Sequence, residues 1–514
     1  MLTPYVRAIL QATVYDVAVR TPLDPAVKLS KRFDNDIRIK REDLQPVFSF
    51  KLRGAYNKIS QLSDNEKAKG VICASAGNHA QGVAYSASQL GLKNLIVMPT
   101  TTPDIKVQAV KALGGQVHLH GDSFDEANRY AIHKSQTDGL TYIAPYDDKL
   151  VIAGQGTIAL ELTQQWRDVD YVFAACGGGG LVAGIASFLG EVAPHIKVVA
   201  VEPEGAACLK VALESGERLR LPQVSLFADG VAVAQIGELP FEIAKLPKSD
   251  GSGTVIEPEV VTCNNDEICA AIKDVFEEYR SIVETAGALS VAGMKKYITE
   301  HGLTGKNCVA IVSGANMNFD RLRYIAERTE IGEQKEAIFA VTIPEKTGAF
   351  LDFCRSLQGR NITEFNYRVD AMSPDAPAHI FVGIALKEGQ KERAVIKAKL
   401  DQDGYTTHDL TDDEASKTHI RYLIGGHANL TDEHLFRVIF PERPGALLNF
   451  LEKLGQDFNI TLFHYRNHGA AEGRILVGLQ ASHGSSRQIL DALNDIGYEC
   501  ENLDDNVGYQ LFLK

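Results

Sequence analysis

The sequence predicts an α/β fold for its N-terminal part and a smaller α+β region for its C-terminal part. Two observations lead to this prediction. Short apolar runs alternate with helical segments from about residue 44 to 328, and the chain beyond residue 331 repeats one pattern twice. Strands that alternate with long helices are typical of parallel sheets with helices on both faces. A chain of 514 residues also has the length of about three domains.

The elements of the α/β part are marked by their own sequence signals. Apolar strands are predicted at residues 71–72, 95–98, 116–119, 171–176, 198–202 and 308–312, and helices at 55–61 and 181–189. A further helix is predicted to begin with Thr102 as its cap and Pro103 in its first turn. Gly114 and Gly115 are expected to end it.

The C-terminal part contains an internal repeat. The run Phe-Ala-Val-Thr-Ile-Pro that ends at Pro344 parallels the run Phe-Arg-Val-Ile-Phe-Pro that ends at Pro441, an offset of 97 (441 − 344). An Asn-Ile-Thr run begins at Asn361 and recurs at Asn459, an offset of 98 (459 − 361). Each copy is predicted as strand, loop, helix, two strands, helix and short strand, which indicates a duplicated α+β unit. Such a module more often senses a ligand or forms an oligomer contact than serves packing alone, which remains the alternative.

The composition argues against several classes of function. A net charge of −13 and scattered basic residues do not fit a protein that binds the nucleic-acid backbone. No apolar run reaches the roughly 18 residues that a membrane span requires. The eight cysteines occur singly, which is typical of reduced thiols rather than of disulfides or a zinc site. The N-terminal residues lack the features of a secretory or transit signal, so we expect a cytoplasmic protein.

The first candidate site segment is Ser49-Phe50-Lys51, just before the predicted helix at 55–61. A lysine near the start of a helix lies close to partial positive charge, which lowers its proton affinity. A partly desolvated lysine of this kind is the usual nucleophile of Schiff-base chemistry. The alternative is an ordinary solvated surface lysine.

The second segment is Ser75-Ala76-Gly77-Asn78-His79, shortly after the apolar residues 71–72. Small residues let the backbone approach a ligand, and consecutive N–H groups at the start of a helix suit a carboxylate. Asn78 can hydrogen-bond to a ring oxygen, whereas His79 could serve only as a cap or in packing. A plain strand-to-helix turn is the alternative for the whole segment.

The third segment is the glycine run at residues 177–180, between a predicted strand and a predicted helix. Four glycines favour the unfolded chain, so their presence indicates that backbone amides must approach a ligand closely. A phosphate at the start of a helix is such a ligand. A dinucleotide loop is the alternative, because Glu202 lies near the distance at which an acidic residue would bind a ribose. Cys176 is interpreted as a small core residue.

The fourth segment is Ser313-Gly-Ala-Asn316, at the end of the apolar strand at 308–312. Ser313 could face a heteroaromatic nitrogen, or it could cap the helix that follows. All four segments fall at strand ends and helix starts, where open α/β sheets bind their ligands.

Together these segments resemble the fold-type II pyridoxal-phosphate enzymes, and within them the threonine/serine dehydratase family, over roughly residues 14–328. The resemblance implies a tryptophan-synthase-β-like region of two parallel-sheet subdomains. The repeated C-terminal part resembles the paired ACT-like regulatory subdomains of biosynthetic members of that family. The implied organisation is a catalytic domain at 1–328, a linker at 329–338 and ACT-like subdomains at 339–410 and 436–505.

The resemblance also implies a role for each site residue. Lys51 would carry pyridoxal 5'-phosphate as a Schiff base and act as the base at the substrate α-carbon, and Phe50 would pack on one face of the ring. Asn78 would hydrogen-bond to the phenolic oxygen, and Ser313 would pair with the pyridine nitrogen. The phosphate loop would comprise Gly177, Gly178, Gly179, Gly180 and Leu181. The substrate carboxylate would bind the loop formed by Ser75, Ala76, Gly77, Asn78 and His79.

Two departures from related racemases narrow the implied chemistry. Those enzymes have a serine at the position of Ala76 as proton donor on the face opposite the lysine, so alanine here favours elimination over racemisation. Their cation-binding pattern, E-x-x-x-A-x-D, begins here at Glu202 but has Cys208 in place of the aspartate. We therefore expect no metal site.

The implied reaction is the dehydration and deamination of L-threonine, and of L-serine, to 2-oxobutanoate or pyruvate and ammonia. It would be the first committed step of isoleucine biosynthesis, inhibited by isoleucine, opposed by valine, and carried out by a homotetramer. The effector pocket is expected near the loops at 344–348 and 441–445 and the segment 459–465. The alternatives are a β-replacing enzyme, a serine-preferring dehydratase, a non-catalytic amino-acid sensor and a nicotinamide oxidoreductase.

Overall fold

The computed structural model describes a chain of two compact units, Met1–Ile325 and Ala326–Lys514. The residues described are 3–246, 248–249, 255–256, 259–332, 335–344, 349–358, 360, 362–367, 377–423, 432–441, 458–466, 472–481, 486–495 and 497–514. Among these residues, no helix combines the length and the apolar character that crossing a membrane requires.

The first unit alternates strands and helices. Its strands are β1 (Leu23–Pro25), β2 (Asp36–Arg41), β3 (Val71–Ala74), β4 (Asn94–Met98), β5 (Gln116–Leu119), β6 (Thr141–Tyr142), β7 (Tyr171–Ala175), β8 (Lys197–Pro203), β9 (Lys248–Ser249), β10 (Val255–Ile256), β11 (Glu259–Cys263) and β12 (Asn307–Val312). Its helices are α1 (Pro4–Leu10), α2 (Val27–Phe33), α3 (Lys51–Ser60), α4 (Asp64–Lys69), α5 (Asn78–Gln89), α6 (Asp104–Ala112), α7 (Phe124–Asp138), α8 (Lys149–Gln165), α9 (Gly180–Val192), α10 (Cys208–Ser215), α11 (Glu238–Lys245), α12 (Asn265–Tyr279), α13 (Thr285–His301) and α14 (Arg321–Gly332).

Two parallel sheets form the framework of this unit. The larger has the strand order β1-β2-β12-β7-β8-β11 and is parallel except for the edge pair β1–β2. The smaller has the order β5-β4-β3-β6 and is parallel throughout. The predicted α/β class with two parallel-sheet subdomains is therefore confirmed.

The predicted elements differ from the structure mainly at helix starts. The strands predicted at 95–98, 116–119 and 308–312 correspond to β4, β5 and β12. The helix predicted at 55–61 begins earlier, at Lys51 itself. The prediction that Thr102 caps α6 was wrong, because Pro103 holds the cap position and the Thr102 hydroxyl is buried without a hydrogen-bond partner among the described residues.

A buried ionic cluster, here called the Arg53 network, fixes α3 within the first unit. It consists of Lys40, Glu42, Arg53 and Glu161, all at most 1% exposed. The Arg53 guanidinium donates to the Glu42 carboxylate at 2.8 Å and to the Glu161 carboxylate at 2.6 Å. Lys40 Nζ donates to the second Glu161 oxygen at 2.5 Å. Two cations and two carboxylates thus compensate one another and tie α3 to α8 and β2.

The second unit contains two similar antiparallel sheets. The elements of its first copy are β13 (Glu336–Ile343), α15 (Ala349–Ser356), β14 (Ile362–Tyr367), β15 (Ala378–Ala385), α16 (Gln390–Gln402) and β16 (Thr406–Asp409). A short helix, α17 (Arg421–Leu423), precedes β17 (Glu433–Pro441), β18 (Phe458–Arg466), β19 (Glu472–Ala481), α18 (Ser486–Asp495), β20 (Glu499–Asn502) and α19 (Val507–Phe512).

The two copies share topology and local irregularity. Their strand orders are β14-β15-β13-β16 and β18-β19-β17-β20, which are equivalent. The register shifts between Ile362 and Glu364 in one copy and between Ile460 and Leu462 in the other, an offset of 98 (460 − 362). A shared bulge at equivalent positions supports duplication of one α+β unit, as the sequence repeat predicts.

Part of the predicted effector region lies outside the described residues. This applies to residues 345–348 and 442–445 of the two loops and to the side chains of 459–461 and 463–465. The segment predicted as a linker, 329–338, includes the last residues of α14 and the first of β13.

Candidate active site

The predicted site segments follow the carboxyl ends of parallel strands, where α/β sheets bind their ligands, and two of these strands, β7 and β12, are neighbours in the larger sheet. The second segment follows β3, the glycine run follows β7, and Ser313 follows β12. Direct hydrogen bonds connect the segments. Phe50 N donates to Ser313 O at 3.1 Å, and Asn316 Nδ2 donates to Asn78 Oδ1 at 2.8 Å. Residues far apart in the chain therefore form one site in the first unit.

Lys51 is the first residue of α3, and its side chain is partly buried. Its Nζ donates to the carbonyl oxygen of Pro145 at 2.9 Å and lies 5.4 Å from the centre of the Phe50 ring. Burial lowers the pKa of Lys51 to about 8, although Glu284 opposes the shift. The neutral amine, which is the nucleophilic and basic form, is therefore well populated near neutral pH.

Ser313 occupies a buried position beside the start of α13. Its hydroxyl donates to the carbonyl oxygen of Ala286 at 3.2 Å, and its carbonyl accepts from Phe50. A single antiparallel bridge between Ser49 and Gly314 holds these two segments together. A neutral hydroxyl group, not a carboxylate, is therefore the polar side chain at this place.

The loop before α5 has both open and closed parts. Ser75 Oγ accepts from Gly77 N at 3.2 Å, which shapes a tight turn. A Cβ added at Gly77 would meet nothing within 4 Å, so the space beside this residue is open. His79 is buried, with Nε2 2.9 Å from Ile143 O, and burial lowers the pKa of its ring to about 3. Within this segment, the neutral His79 ring therefore faces the protein interior, and the space that is open to a ligand lies beside Gly77.

The glycine run forms a cradle that side chains would fill. Gly177 lies so close to Val231 that an added Cβ would be 2.8 Å from its Cα, and a Cβ on Gly178 would overlap the ring of Tyr146. Gly179 has φ +89°, which favours glycine, and Gly180 begins α9. Leu181 is buried in the core beneath. The glycine run is buried and closely packed, and it leads to the start of α9, where the backbone N–H groups of a helix suit a phosphate.

Several residues of the site were missed by the sequence analysis. Glu284 accepts from Asn78 Nδ2 at 2.6 Å, and burial, together with Asp229, raises the pKa of Glu284 to about 8. Pro145 supplies the acceptor for Lys51, and Tyr146 lines the glycine cradle. Each is a single residue without a motif of its own. A glutamate at the start of a helix, such as Glu284, looks like any helix-capping residue in the sequence.

The contacts of Glu202 argue against the dinucleotide-binding interpretation of the glycine run. Its carboxylate accepts from the backbone N–H groups of Leu209 at 2.7 Å and Lys210 at 2.9 Å, so it caps the start of α10. Cys208, where the racemase pattern has an aspartate, directs its thiol to Gly177 O at 3.4 Å. These contacts give Glu202 a structural role rather than one in binding a ribose.

The site fits pyridoxal phosphate on three counts. A lysine with a lowered pKa lies beside an aromatic ring, a run of four glycines leads to a helix start whose backbone N–H groups suit a phosphate, and a buried serine hydroxyl suits an unprotonated heteroaromatic nitrogen. The residues that would hold the cofactor are thus Lys51, Asn78, the glycine run and Ser313.

Comparison with known proteins agrees with this geometry. Residues 14–314 match the pyridoxal-phosphate dependent enzyme family, and residues 327–420 and 424–513 match the C-terminal regulatory domain of threonine dehydratase. The biosynthetic L-threonine dehydratase of Escherichia coli K12 is 51% identical over 511 residues, which cover 99% of this chain and 97% of that protein.

Two solved structures are similar to a part of this chain. The processed form of threonine deaminase isoform 2 from Solanum lycopersicum has 51% identity and a TM-score of 0.60, covering 63% of this chain and 92% of that one. Maize serine racemase has 29% identity and a TM-score of 0.57, covering 62% of this chain and 95% of that one. The chain therefore belongs to the pyridoxal-phosphate dependent enzymes and, within them, to the biosynthetic threonine dehydratases that carry a C-terminal regulatory domain.

Proposed function

We propose that this enzyme converts L-threonine, and also L-serine, to the corresponding 2-oxo acid and ammonia, with Lys51 as the catalytic base. One observation carries the proposal. The Lys51 amine, with its pKa lowered to about 8, lies at the start of α3 against Pro145 O and beside the Phe50 ring. For threonine the product is 2-oxobutanoate, which would supply isoleucine biosynthesis.

The bound cofactor supplies the electron sink that stabilises negative charge at the substrate α-carbon. The chain supplies the groups that hold the cofactor. Lys51 would bind its aldehyde carbon, the glycine run with Leu181 its phosphate, Asn78 its phenolic oxygen and Ser313 its ring nitrogen. Phe50 would pack on the ring, since its own ring lies near Lys51 Nζ.

Lys51 would perform the proton transfer. With substrate bound to the cofactor, the lowered pKa of the Lys51 amine would keep a substantial fraction of it neutral at physiological pH. That amine removes the proton from the α-carbon of the substrate. Positioned proton transfer of this kind contributes about 10²–10⁴-fold in rate.

The loop formed by Ser75, Ala76, Gly77, Asn78 and His79 would bind the substrate carboxylate. The open space beside Gly77 and the N–H groups at the start of α5 support this assignment. Ala76 has no acidic proton, so it cannot protonate the α-carbon from the face opposite Lys51. Elimination of the β-hydroxyl group is then favoured over racemisation.

An absorption spectrum of the purified protein tests the proposal. We expect a visible chromophore that borohydride reduction fixes to Lys51, as identified by peptide mass spectrometry, and 2-oxobutanoate on addition of threonine. Lys51→Ala should form neither the fixed adduct nor the product. A colourless wild-type protein that stays inert toward hydroxy-amino acids with added cofactor would falsify the proposal.

We propose further that 1–328 is the catalytic domain, that 329–338 joins it to the tail, and that 339–410 and 436–505 are ACT-like subdomains. Isoleucine would inhibit and valine would oppose it by binding this tail. The match of the tail to a regulatory domain of threonine dehydratase supports regulation as its role. Inhibition requires only that isoleucine bind one state of a homotetramer better than another, and a typical coupling is about 5–150-fold in affinity.

Truncation after Arg328 tests the role of the tail. Two solved threonine deaminase chains match over 92% and 99% of their own length but cover only 63% and 62% of this chain, which supports the expectation that a shorter protein remains active. We expect activity on threonine that no longer responds to isoleucine. Inhibition that persists in the truncated protein would exclude the tail as the effector site. Sedimentation of the full chain tests the tetramer.

A serine-preferring dehydratase or a β-replacing enzyme is the alternative within the same family. Comparison of kcat/KM for threonine and serine, and an added thiol as competing nucleophile, distinguishes these outcomes. We also propose that the enzyme works in the reducing cytoplasm, which the buried cysteines Cys73, Cys176 and Cys308, none of them in a disulfide, support.

A further inference from the structure

Glu284 is a buried carboxyl group that the proposed chemistry does not yet use. It lies at the cap position of α13 and is 3% exposed, but it makes no side-chain hydrogen bond to that helix. Its Oε1 instead accepts from Asn78 Nδ2 at 2.6 Å. Gly230 and Gly314 border the carboxyl group, and a Cβ at Gly314 would overlap Oε1. The fold thus makes room for this carboxyl group beside Asn78.

Asn78 is held from two sides. Its Oδ1 accepts from Asn316 Nδ2 at 2.8 Å, and Asn316 Nδ2 also donates to Val47 O at 2.8 Å. A flipped Asn78 amide would place two donors against each other at Asn316, whose own amide is fixed by its bond to Val47 O. The orientation of the amide is therefore determined, not arbitrary. The two bonds use one N–H and one lone pair of the amide and leave its second N–H for a ligand.

We infer that Glu284 is a positioning residue, which together with Asn316 orients the Asn78 amide so that its second N–H is left to donate to the phenolic oxygen of the cofactor. This inference rests on the proposed function, because it assigns Asn78 to that oxygen. Glu284 itself acts through Asn78.

The charged groups around Glu284 determine the form in which it acts. Asp229 raises its pKa, and Lys106 and Arg321, which both contact Asp229, oppose that shift. Lys51 is the other titrating group that senses the Glu284 charge. Because burial raises the pKa of Glu284 to about 8, the neutral acid predominates at pH 7. Glutamine, a neutral group of the same shape, should therefore accept the same bond from Asn78.

A mutant cycle on the holoenzyme tests the inference. We would measure kcat on threonine and the pH titration of the visible absorbance for wild type, Glu284→Ala, Asn78→Ala and the double variant. A buried donor or acceptor left without its partner corresponds to about 5- to 150-fold in rate, so we expect a loss of that order in each single variant. If Glu284 acts through Asn78, the double variant should match Asn78→Ala within about twofold.

The spectral titration separates positioning from general damage. The apparent pKa of the chromophore in Glu284→Ala should equal that in Asn78→Ala, while Glu284→Gln should retain the wild-type titration and kcat within about threefold. Asp274→Asn removes another buried carboxylate, which contacts Arg32 and Lys295, and serves as the control for stability. We expect it to leave the chromophore titration unchanged.

Three results would overturn the inference. These are losses that multiply in the double variant, a wild-type titration in Glu284→Ala, or a loss of more than about tenfold in Glu284→Gln. The measurement on Glu284→Gln tests the inference even if Glu284→Ala does not fold. A wild-type protein without chromophore would instead refute the proposed function, so the two failures are distinguishable.

Discussion

Gly154 lies inside α8, and its replacement by alanine should lower kcat on threonine. Gly154 faces α3 at a point where the two helices are in backbone contact. A Cβ added there would lie 2.6 Å from both the carbonyl oxygen of Arg53 and the Cα of Gly54. These are backbone atoms, so no side chain can rotate away to relieve the overlap. The helices must separate, and α3 is the helix that begins with Lys51.

The size of the effect follows from the overlap. Ordinary contact begins at 3.4 Å, so α3 and α8 must separate by 0.8 Å (3.4 − 2.6). The Arg53–Glu161 ion pair at 2.6 Å joins the same two helices and resists that separation. Overpacking typically costs about 1–3 kcal/mol, and the helix propensity of alanine returns about 1 kcal/mol. A misplacement of 1 Å costs on the order of 10²-fold in rate, so 0.8 Å at Lys51 corresponds to roughly 40-fold.

The assay compares kcat on threonine with the thermal midpoint. We expect kcat to fall by about 5- to 40-fold, with a stability loss of up to about 2 kcal/mol. Gly115→Ala is the control. Gly115 directly precedes β5, at the end of the smaller sheet opposite the site, and an added Cβ would lie 2.9 Å from the carbonyl oxygen of Val110. This control should lose stability but keep kcat within about twofold. If Gly154→Ala kept wild-type kcat, the idea that α3 transmits displacement to Lys51 would be wrong.

Three further predictions concern ionisable groups. The rate at which added pyridoxal phosphate reacts with apoenzyme should rise with pH and inflect near 8, because Lys51 with its pKa lowered to about 8 is about one quarter neutral at pH 7.5. An inflection near 10 in stopped-flow absorbance would contradict this. Arg53→Met should destabilise the protein by about 3–5 kcal/mol in denaturant unfolding, since Glu42 and Glu161 would remain buried without it; unchanged stability would contradict the network. Arg328 lowers the pKa of Glu414 to about 2, so the stability it adds is present above about pH 4.5 and lost as pH falls toward 2. The difference in thermal midpoint between wild type and Glu414→Gln should shrink over that range, and a constant difference would refute the linkage.

Much of the fold could be predicted because its signals are local. Alternating apolar runs fix the strand and helix order of the first unit, and the repeat at offsets of 97 and 98 predicts the two equivalent sheets of the second. Helix starts were less predictable. Phe50, which has no side-chain capping group, holds the cap position before Lys51 in α3, and Pro103 rather than Thr102 caps α6. A cap depends on backbone geometry that the preceding turn determines.

The candidate site was predictable only where a run of residues carries the chemistry. The four glycines at 177–180 and the run around Lys51 are such signals. In the structure both contact one segment, because Lys51 bonds to Pro145 and the glycine run lies against Tyr146. Glu284 gave no signal, because one glutamate at a helix start has many ordinary uses. Its role depends on a contact with Asn78 across 206 residues of chain.

Lys51 and Arg53 show how the fold assigns opposite ionisation to two neighbouring cations on one helix. Burial lowers the proton affinity of both, so their partners decide the outcome. Arg53 has two carboxylates, Glu42 and Glu161, which raise its pKa above the ordinary value and keep it charged. Lys51 has a neutral carbonyl group at 2.9 Å and only the partly protonated Glu284 nearby, so its pKa falls to about 8. The same helix can therefore be fixed by one charge and supply a neutral amine from the other, because the two carboxylates contact Arg53, two residues further along α3, and not the reactive lysine.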